Sequence, residues 1–316
     1  MTRQRVLAVA EEMGYSPNRI ARSLAMRKTH TIGLVVTDIE NPFFGSVTRF
    51  VDEYVRQTGY SLILSVSNDD PELENSILST FISNRVEGVI IVPTLAFRRD
   101  FQPFKALQSH RIPVVFATAY YPGYAADCVM TDLEEGSYRL TRYLIQMGHR
   151  NIVLLATEDL KMGQSALRIA GYQKAFNEIG VRLGPEAVVR CKHPDFYNGY
   201  SKTREILRKG LPDAITAIND VLALGSRKAL QEEGLEIPTD ISVAGYDDVI
   251  FSSLSQSPLT TVRQAIPRIC RESVNLLMDR IHGDRSPLRT VKIEPELIVR
   301  GSTGACRKRI SPVQMT

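Results

Sequence analysis

The 316-residue sequence has no tryptophan, four cysteines and five histidines, and the scarcity of the last two excludes more than the first. Cys128, Cys191, Cys270 and Cys306 are scattered with no Cys-x-x-Cys pair, which speaks against a disulfide framework or a zinc site and suits a reducing compartment. His30, His110, His149, His193 and His282 form no His-Glu-x-x-His pair. Also missing are Gly-x-x-x-x-Gly-Lys, Gly-x-Ser-x-Gly and Gly-x-Gly-x-x-Gly, the spacings that cradle phosphate, present a nucleophilic serine or seat a dinucleotide. His149, between Gly148 and Arg150 and just ahead of a β-rich run, reads as a turn residue with a satisfied imidazole. No enzyme, cofactor or metal is expected. No apolar run approaches the ~20 residues of a membrane helix. The charged N-terminus lacks the apolar stretch and cleavage site of a secretory signal, so a cytoplasmic protein with no membrane partner is expected.

What is present is an ordinary globular composition, long enough for two cores of about 100–200 residues each. The charge is unevenly placed. Residues 1–30 carry Arg3, Arg5, Arg19, Arg22, Arg27 and Lys28 against Glu11 and Glu12, an excess that equals the whole chain's net charge of +4. A basic arm on an electrically balanced body points to a polyanion, with phosphate contacts the usual means. A solvated terminus is the bland alternative, but the arm is helix-patterned. It reads as a helix Arg3–Met13, a turn Gly14–Pro17 and a short helix Asn18–Ala25. The apolar side of the first helix has nothing N-terminal to pack against, so the sequence reads as starting within a small domain.

From residue 31 onward, β-rich runs alternate with helical patterns. Thr31–Val36, Tyr60–Val66, Gly88–Val92, Ile112–Ala117 and Cys128–Thr131 form one series, and Asn151–Ala156, Ala187–Cys191, Ala214–Ile218, Ile241–Gly245 and Thr260–Val262 a second. Strands alternating with helices imply right-handed βαβ units and parallel sheets. Helices are expected from Asn41 to Gly59 and at about 72–85, 133–147, 165–179, 198–209, 221–233 and 265–282. Ligands of such sheets bind beyond the carboxyl ends of the strands. Phe43, Phe44, Arg168, Asn219 and Asp247 fall there. A guanidinium and a carboxylate on one cleft can grip a polyhydroxylated ligand, donating a fork and accepting hydroxyls, while an aromatic face covers the ring. A buried structural ion pair is the competing reading of Arg168 and Asp247. Asp220 reads as a helix cap. Arg307-Lys308-Arg309 reads as a loose tail.

An ordered set of motifs resembles the lactose/galactose repressor (LacI/GalR) family across almost the whole chain. Arg3-Gln4-Arg5-Val6 through Gly14-Tyr15-Ser16-Pro17-Asn18 and Ala21-Arg22-Ser23-Leu24 resemble the end of its headpiece and its hinge helix. Thr31–Val36 with Asn41-Pro42-Phe43-Phe44, Gly148–Ile152, Arg168–Tyr172, Asn219–Gly225, Ile237–Asp248, Pro258–Val262 and Glu296–Arg300 follow in family order. The two helices that would complete a helix-turn-helix do not precede residue 1 in this sequence, which puts base readout by that route in doubt.

The resemblance implies two doubly wound parallel-sheet lobes of periplasmic-binding-protein type, after a truncated helical headpiece (1–30) with its hinge helix. The effector-binding domain would be 31–303, with lobe 1 at about 31–132 and 265–294, lobe 2 at about 133–264 and 295–303, and a tail at 304–316. It implies that Arg168 and Asp247 contact the effector, that Phe43 and Phe44 are its aromatic positions, and that Met162 and Gln164 lie on a loop tuning effector choice. Phe196 is a further candidate cleft wall, with Pro194 equally good. Arg19, Ala21, Arg22, Ser23 and Leu24 would contact DNA, with Leu24 wedging into a minor-groove step. The implied function is an effector-responsive repressor of a carbohydrate or related catabolic operon, with a sugar as effector and DNA bound weakly by this truncated sequence. A homodimer is expected, because an isolated hinge helix this short is unstable. The alternative is a small-molecule sensor that has lost sequence-specific DNA binding.

Overall fold

The strand β1 (Thr31–Val36) is buried along five of its six residues, as a strand covered on both faces must be. A computed structural model of the chain describes residues 28–95, 100–157, 163–254 and 256–306, together with Val9 and Glu12. The headpiece and hinge candidates Arg19, Ala21, Arg22, Ser23 and Leu24, the cleft candidate Met162 and tail residues 307–316 lie outside the described residues.

After β1, Asn41 caps helix α1 (Pro42–Gln57) by accepting a hydrogen bond from Phe43 N at 3.0 Å, with Pro42 at the first helical position. Phe43, Val47, Val51 and Val55 recur every four residues and bury one stripe, each contributing about 1.5–3 kcal/mol. Thr58 and Gly59, the latter at φ 82°, end the helix. The same logic builds β2 (Ser61–Val66), α2 (Pro71–Ser83), β3 (Gly88–Ile91), α3 (Gln102–Ser109), β4 (Val114–Ala117) and β5 (Asp127–Thr131).

The chain then leaves this sheet. Helix α4 (Leu133–Gln146) packs on α5 (Gln164–Asn177), which belongs to a second sheet with β6 (Ile152–Thr157), β7 (Val188–Cys191), α6 (Phe196–Leu207), β8 (Ala214–Ala217), α7 (Asp220–Glu232) and β9 (Ser242–Ala244). After β10 (Thr261–Arg263), helix α8 (Ile266–Ile281) returns to the first sheet and packs on α1, β3, β4 and β5. Strand β11 (Thr290–Ile293) pairs with β5, and β12 (Glu296–Ile298) turns back to pair antiparallel with β10. The result is a six-stranded sheet in the order β11-β5-β4-β3-β1-β2, a four-stranded sheet in the order β7-β6-β8-β9, both wholly parallel, and the β10–β12 ribbon. This is the two-lobed, doubly wound α/β architecture. Helix α3 and strands β11 and β12 have no counterpart among the sequence-based elements.

Two helix pairs of the second lobe approach closely enough to require glycine. A Cβ at Gly171 of α5 would collide with the Glu134 carbonyl of α4, and one at Gly225 of α7 with the Phe196 carbonyl of α6. These contacts fix the helices that carry Arg168 and Phe196.

Candidate functional site

Arg168 sits in the second turn of α5, after β6, and Asp247 follows β9, so both stand at the carboxyl ends of the second sheet's strands. They are brought together: Arg168 Nη2 lies 3.6 Å from Asp247 Oδ1. Both are buried, at 6% and 5% exposure. That distance is an ion pair without a hydrogen bond. Asp247 instead accepts a hydrogen bond from Gln264 Nε2 at 2.7 Å, and the Arg168 guanidinium carbon rests 4.4 Å from the Tyr246 ring centroid. Arg168 Nε and Gln264 Oε1 are buried and make no hydrogen bond among the described residues. Orphaned polar atoms of this kind are rare in folded cores. Burial pushes the Asp247 carboxyl up to about 7, with the Arg168 charge and the Gln264 hydrogen bond acting in the opposite direction.

The backbone here is unusual. Asp247 has φ 110° and Asp248 φ 57°, left-handed values that non-glycine residues rarely adopt. They are held in place by Asp247 N donating to the Val262 carbonyl at 2.8 Å. The Asp248 carboxylate accepts from Arg263 Nε at 2.7 Å and Arg300 Nη2 at 2.6 Å. Thus β10 and the segment after β12 set the conformation of the candidate ligand-binding loop.

The helix cap that the sequence assigns to Asp220 is supplied by Asn219. Asn219 is the cap of α7: its Oδ1 accepts from Leu222 N at 2.8 Å while its Nδ2 donates to the Pro194 carbonyl at 2.8 Å. The expectation that Asp220 is the cap is corrected. Asp220 is the first residue of the helix and is fully buried. Its Oδ2 accepts from Val249 N at 2.9 Å and Ser252 Oγ at 2.7 Å, and its Oδ1 from Thr261 Oγ1 at 2.6 Å. Burial first, and the nearby Asp247 charge second, raise its carboxyl to about 8 against the three donors.

The remaining described candidates lie on helices of the two lobes. Phe43 is buried in the first lobe's core and Phe44 is half-buried beside it, their rings edge-on at 5.2 Å. Gln164 opens α5 and is half-buried. Phe196 opens α6 and is partly exposed beside the well-exposed Tyr197. Among the described residues, none of these four is joined to Arg168 or Asp247 by a hydrogen bond or ion pair. Tyr246 and Gln264 were not foreseen. Tyr246 stands within the Gly-Tyr-Asp-Asp run and Gln264 at the expected lobe crossing, but neither position signals a contact with Arg168 or Asp247 across the fold.

A cavity of about 330 Å³ lies elsewhere, lined by His149, Asp213, Asp240, Cys306 and neighbours. His149, Asp213 and Asp240 precede β6, β8 and β9, so the cavity is at the amino ends of the strands, away from the Arg168 pair. His149 is fully engaged there, Nδ1 with the Leu144 carbonyl at 3.0 Å and Nε2 with Ser242 Oγ at 2.8 Å, and burial lowers its pKa. Among the described residues no cluster of three or more His, Cys, Asp or Glu is arranged to hold a metal, and no helix is long and apolar enough to cross a membrane.

Comparison with known proteins bears on this geometry. Residues 141–303 match the family described as a periplasmic binding protein-like domain. The HTH-type transcriptional regulator DegA of Bacillus subtilis is 30% identical over 302 residues, covering 96% of this chain and 89% of its own length. The HTH-type transcriptional repressor PurR of Pasteurella multocida is 33% identical, with 95% and 89% covered. The ribose operon repressor of Haemophilus influenzae is 32% identical, also with 95% and 89% covered. Among solved structures, a LacI family transcriptional regulator from Enterococcus faecium with bound ribose superposes with a TM-score of 0.77 at 26% identity, covering 87% of this chain and 99% of that one. The transcriptional regulator CelR in complex with cellobiose gives 0.78 at 26% identity, covering 95% and 90%.

Proposed function

The chain belongs to the LacI family of transcriptional regulators, and from that premise we propose that it is a cytoplasmic, homodimeric repressor of a carbohydrate or related catabolic operon whose effector binds between the lobes at Arg168 and Asp247. One observation carries the choice of site. Arg168 and Asp247 are buried, oppositely charged and not hydrogen-bonded to each other, and Arg168 Nε has no partner among the described residues. Such a pair keeps a guanidinium fork and a carboxylate oxygen for a ligand's hydroxyls, which fits a sugar. Ribose and cellobiose in the two related structures support that class. In this reading Phe43, Phe44, Gln164, Met162, Asn219 and Phe196 are the surrounding wall. Asn219 contributes through the helix start it caps, because both ends of its amide are engaged.

The mechanism is a population shift. Sugar that binds one arrangement of the lobes better than the other biases that arrangement by its differential affinity, and the bias reaches the DNA-binding segment. The segment Arg19–Leu24 would contact DNA, with Leu24 in the minor groove. A sensor without a regulatory role finds no support in these relatives, which are named as regulators and repressors, and neither does an enzyme. Isothermal calorimetry of the chain against D-ribose, cellobiose and a panel of mono- and disaccharides tests the reading. Saturable binding that disappears in Arg168→Ala supports it, and unchanged binding in that variant removes the site.

A further inference from the structure

Asp220 is a fully buried carboxyl group that the proposed site does not use, yet its three hydrogen bonds tie its helix to two other segments. Oδ1 takes Thr261 Oγ1 on β10, a strand of the ribbon through which the chain crosses between the lobes. Oδ2 takes Val249 N, at the N-cap of the single-turn helix Ile250–Ser253, and Ser252 Oγ within it. The side chain itself springs from the first residue of α7, next to Asn219. A Cβ at Gly245 would collide with Asp220 Oδ1, so the strand end that leads to Asp247 lies directly on this carboxylate. Asp247 follows two residues later and is close enough to raise the Asp220 pKa by its charge.

The other charged groups around the pocket are accounted for. Arg168 faces Asp247, and Arg263 and Arg300 are committed to Asp248. No cation pairs with Asp220 among the described residues, so hydroxyls and one amide are its compensation. The turn it holds is itself exposed and apolar: Ile250 is 63%, Phe251 52% and Leu254 70% exposed. A single carboxylate therefore joins the loop carrying Asp247, a strand of the inter-lobe ribbon and an outward-facing apolar turn.

We propose that Asp220 is a positioning residue that couples the Asp247 site to the 249–254 turn, so that a change at the cleft is felt at that outer face. The coupling rests on the cleft reading only for its purpose, because the physical link is made by the chain's own hydrogen bonds. Two routes could carry a change from Asp247 to residue 249: the two intervening peptide bonds, or the hydrogen bonds to Asp220. The left-handed backbone at Asp247 and Asp248 leads directly into Val249, and Asp220 grips that far end of the loop at both Val249 and Ser252.

Hydrogen-exchange mass spectrometry of the full chain, without ligand, distinguishes the routes. Asp220→Asn exchanges one acceptor oxygen for an NH2 donor and should speed exchange of the 249–254 amides on the order of tenfold, about the loss of one buried hydrogen bond. Asp247→Asn should change the same amides several-fold in the wild-type background and leave them unchanged in the Asp220→Asn background, the non-additivity of residues in one network. Ser252→Ala cuts only one link and leaves the buried Asp220 carboxyl in place, so it should reproduce the uncoupling in part even if Asp220→Asn fails to fold. Additive effects of Asp247→Asn in either background, or unaltered 249–254 exchange in Ser252→Ala, overturn the proposal. Loss of sugar binding is not used as the readout, so a failed cleft assignment would appear in calorimetry while this result stood or fell separately.

Discussion

Arg168 and Asp247 oppose unlike charges at 3.6 Å, both buried, while the nearer hydrogen bond to Asp247 comes from Gln264 at 2.7 Å. A purely structural pair would close to a bidentate contact, as Arg280 and Asp127 do with Nε–Oδ2 at 2.6 Å and Nη2–Oδ1 at 3.0 Å. The open geometry leaves donors and acceptors for a third party.

Replacing either member should therefore remove ligand binding and leave the fold. Arg168→Ala or Asp247→Ala loses a charge-assisted contact worth about 1.5–3 kcal/mol, roughly one to two decades of affinity. Calorimetry with a sugar that binds the wild type, together with circular dichroism, gives both readings. Unfolding of both variants would return the pair to a structural role.

Stability should fall as pH rises between about 4 and 8. Burial raises Asp220 to about 8 and Asp247 to about 7, so in this window the folded chain holds protons that the unfolded chain has released. Stability contributed by these groups is thus complete below the ordinary carboxylate range and is lost as pH rises through the folded values. Urea titrations from pH 5 to pH 9 should show this decline, and Asp220→Asn should flatten it. An equal decline in the variant would mean that other groups cause it.

Gly171→Ala should weaken both stability and binding. The added methyl group meets the Glu134 carbonyl, backbone that cannot move aside cheaply, and overpacking of this kind costs about 1–3 kcal/mol. Arg168 lies one turn earlier on the same helix, so displacement of α5 moves the guanidinium. Thermal unfolding and sugar calorimetry on the variant check the two effects, and a neutral result in both would show that the helices can separate freely.

If Leu24 acts as the proposed minor-groove wedge, Leu24→Ala should weaken binding to operator DNA more than binding to random duplex, because an apolar wedge acts at a deformable step while phosphate contacts are indifferent to sequence. Filter binding on the two duplexes measures the ratio. Equal losses would assign Leu24 to a contact between protomers.

The sheets were legible because parallel strands are continuous apolar runs and their helices carry the four-residue stripe seen in Phe43, Val47, Val51 and Val55. Strand β11 was not, because its Thr290 and Lys292 face solvent at a sheet edge and leave only Ile293 fully buried. Helix α3 has no side-chain cap and only eight residues, with Phe104 and Leu107 its buried pair. In the site, Arg168 and Asp247 could be named from their places after strands. Gln264 and Tyr246 could not, because their roles come from the way the lobe crossing and the β9 loop fold over α5. Asp220 was misassigned because an Asn-Asp pair at a helix start offers two caps, and only the tertiary fold shows which one Thr261, Ser252 and Val249 engage.

The proposed link between cleft and DNA is tested most directly by fluorescence anisotropy of a labelled operator duplex, titrated with wild-type protein and with Arg168→Ala, each with and without the sugar identified by calorimetry. Sugar should shift the wild-type DNA affinity by roughly 5–150-fold, the usual range of coupling free energies, and leave the variant's affinity unchanged. A shift of the same size in Arg168→Ala, or none in the wild type at saturating sugar, would contradict it.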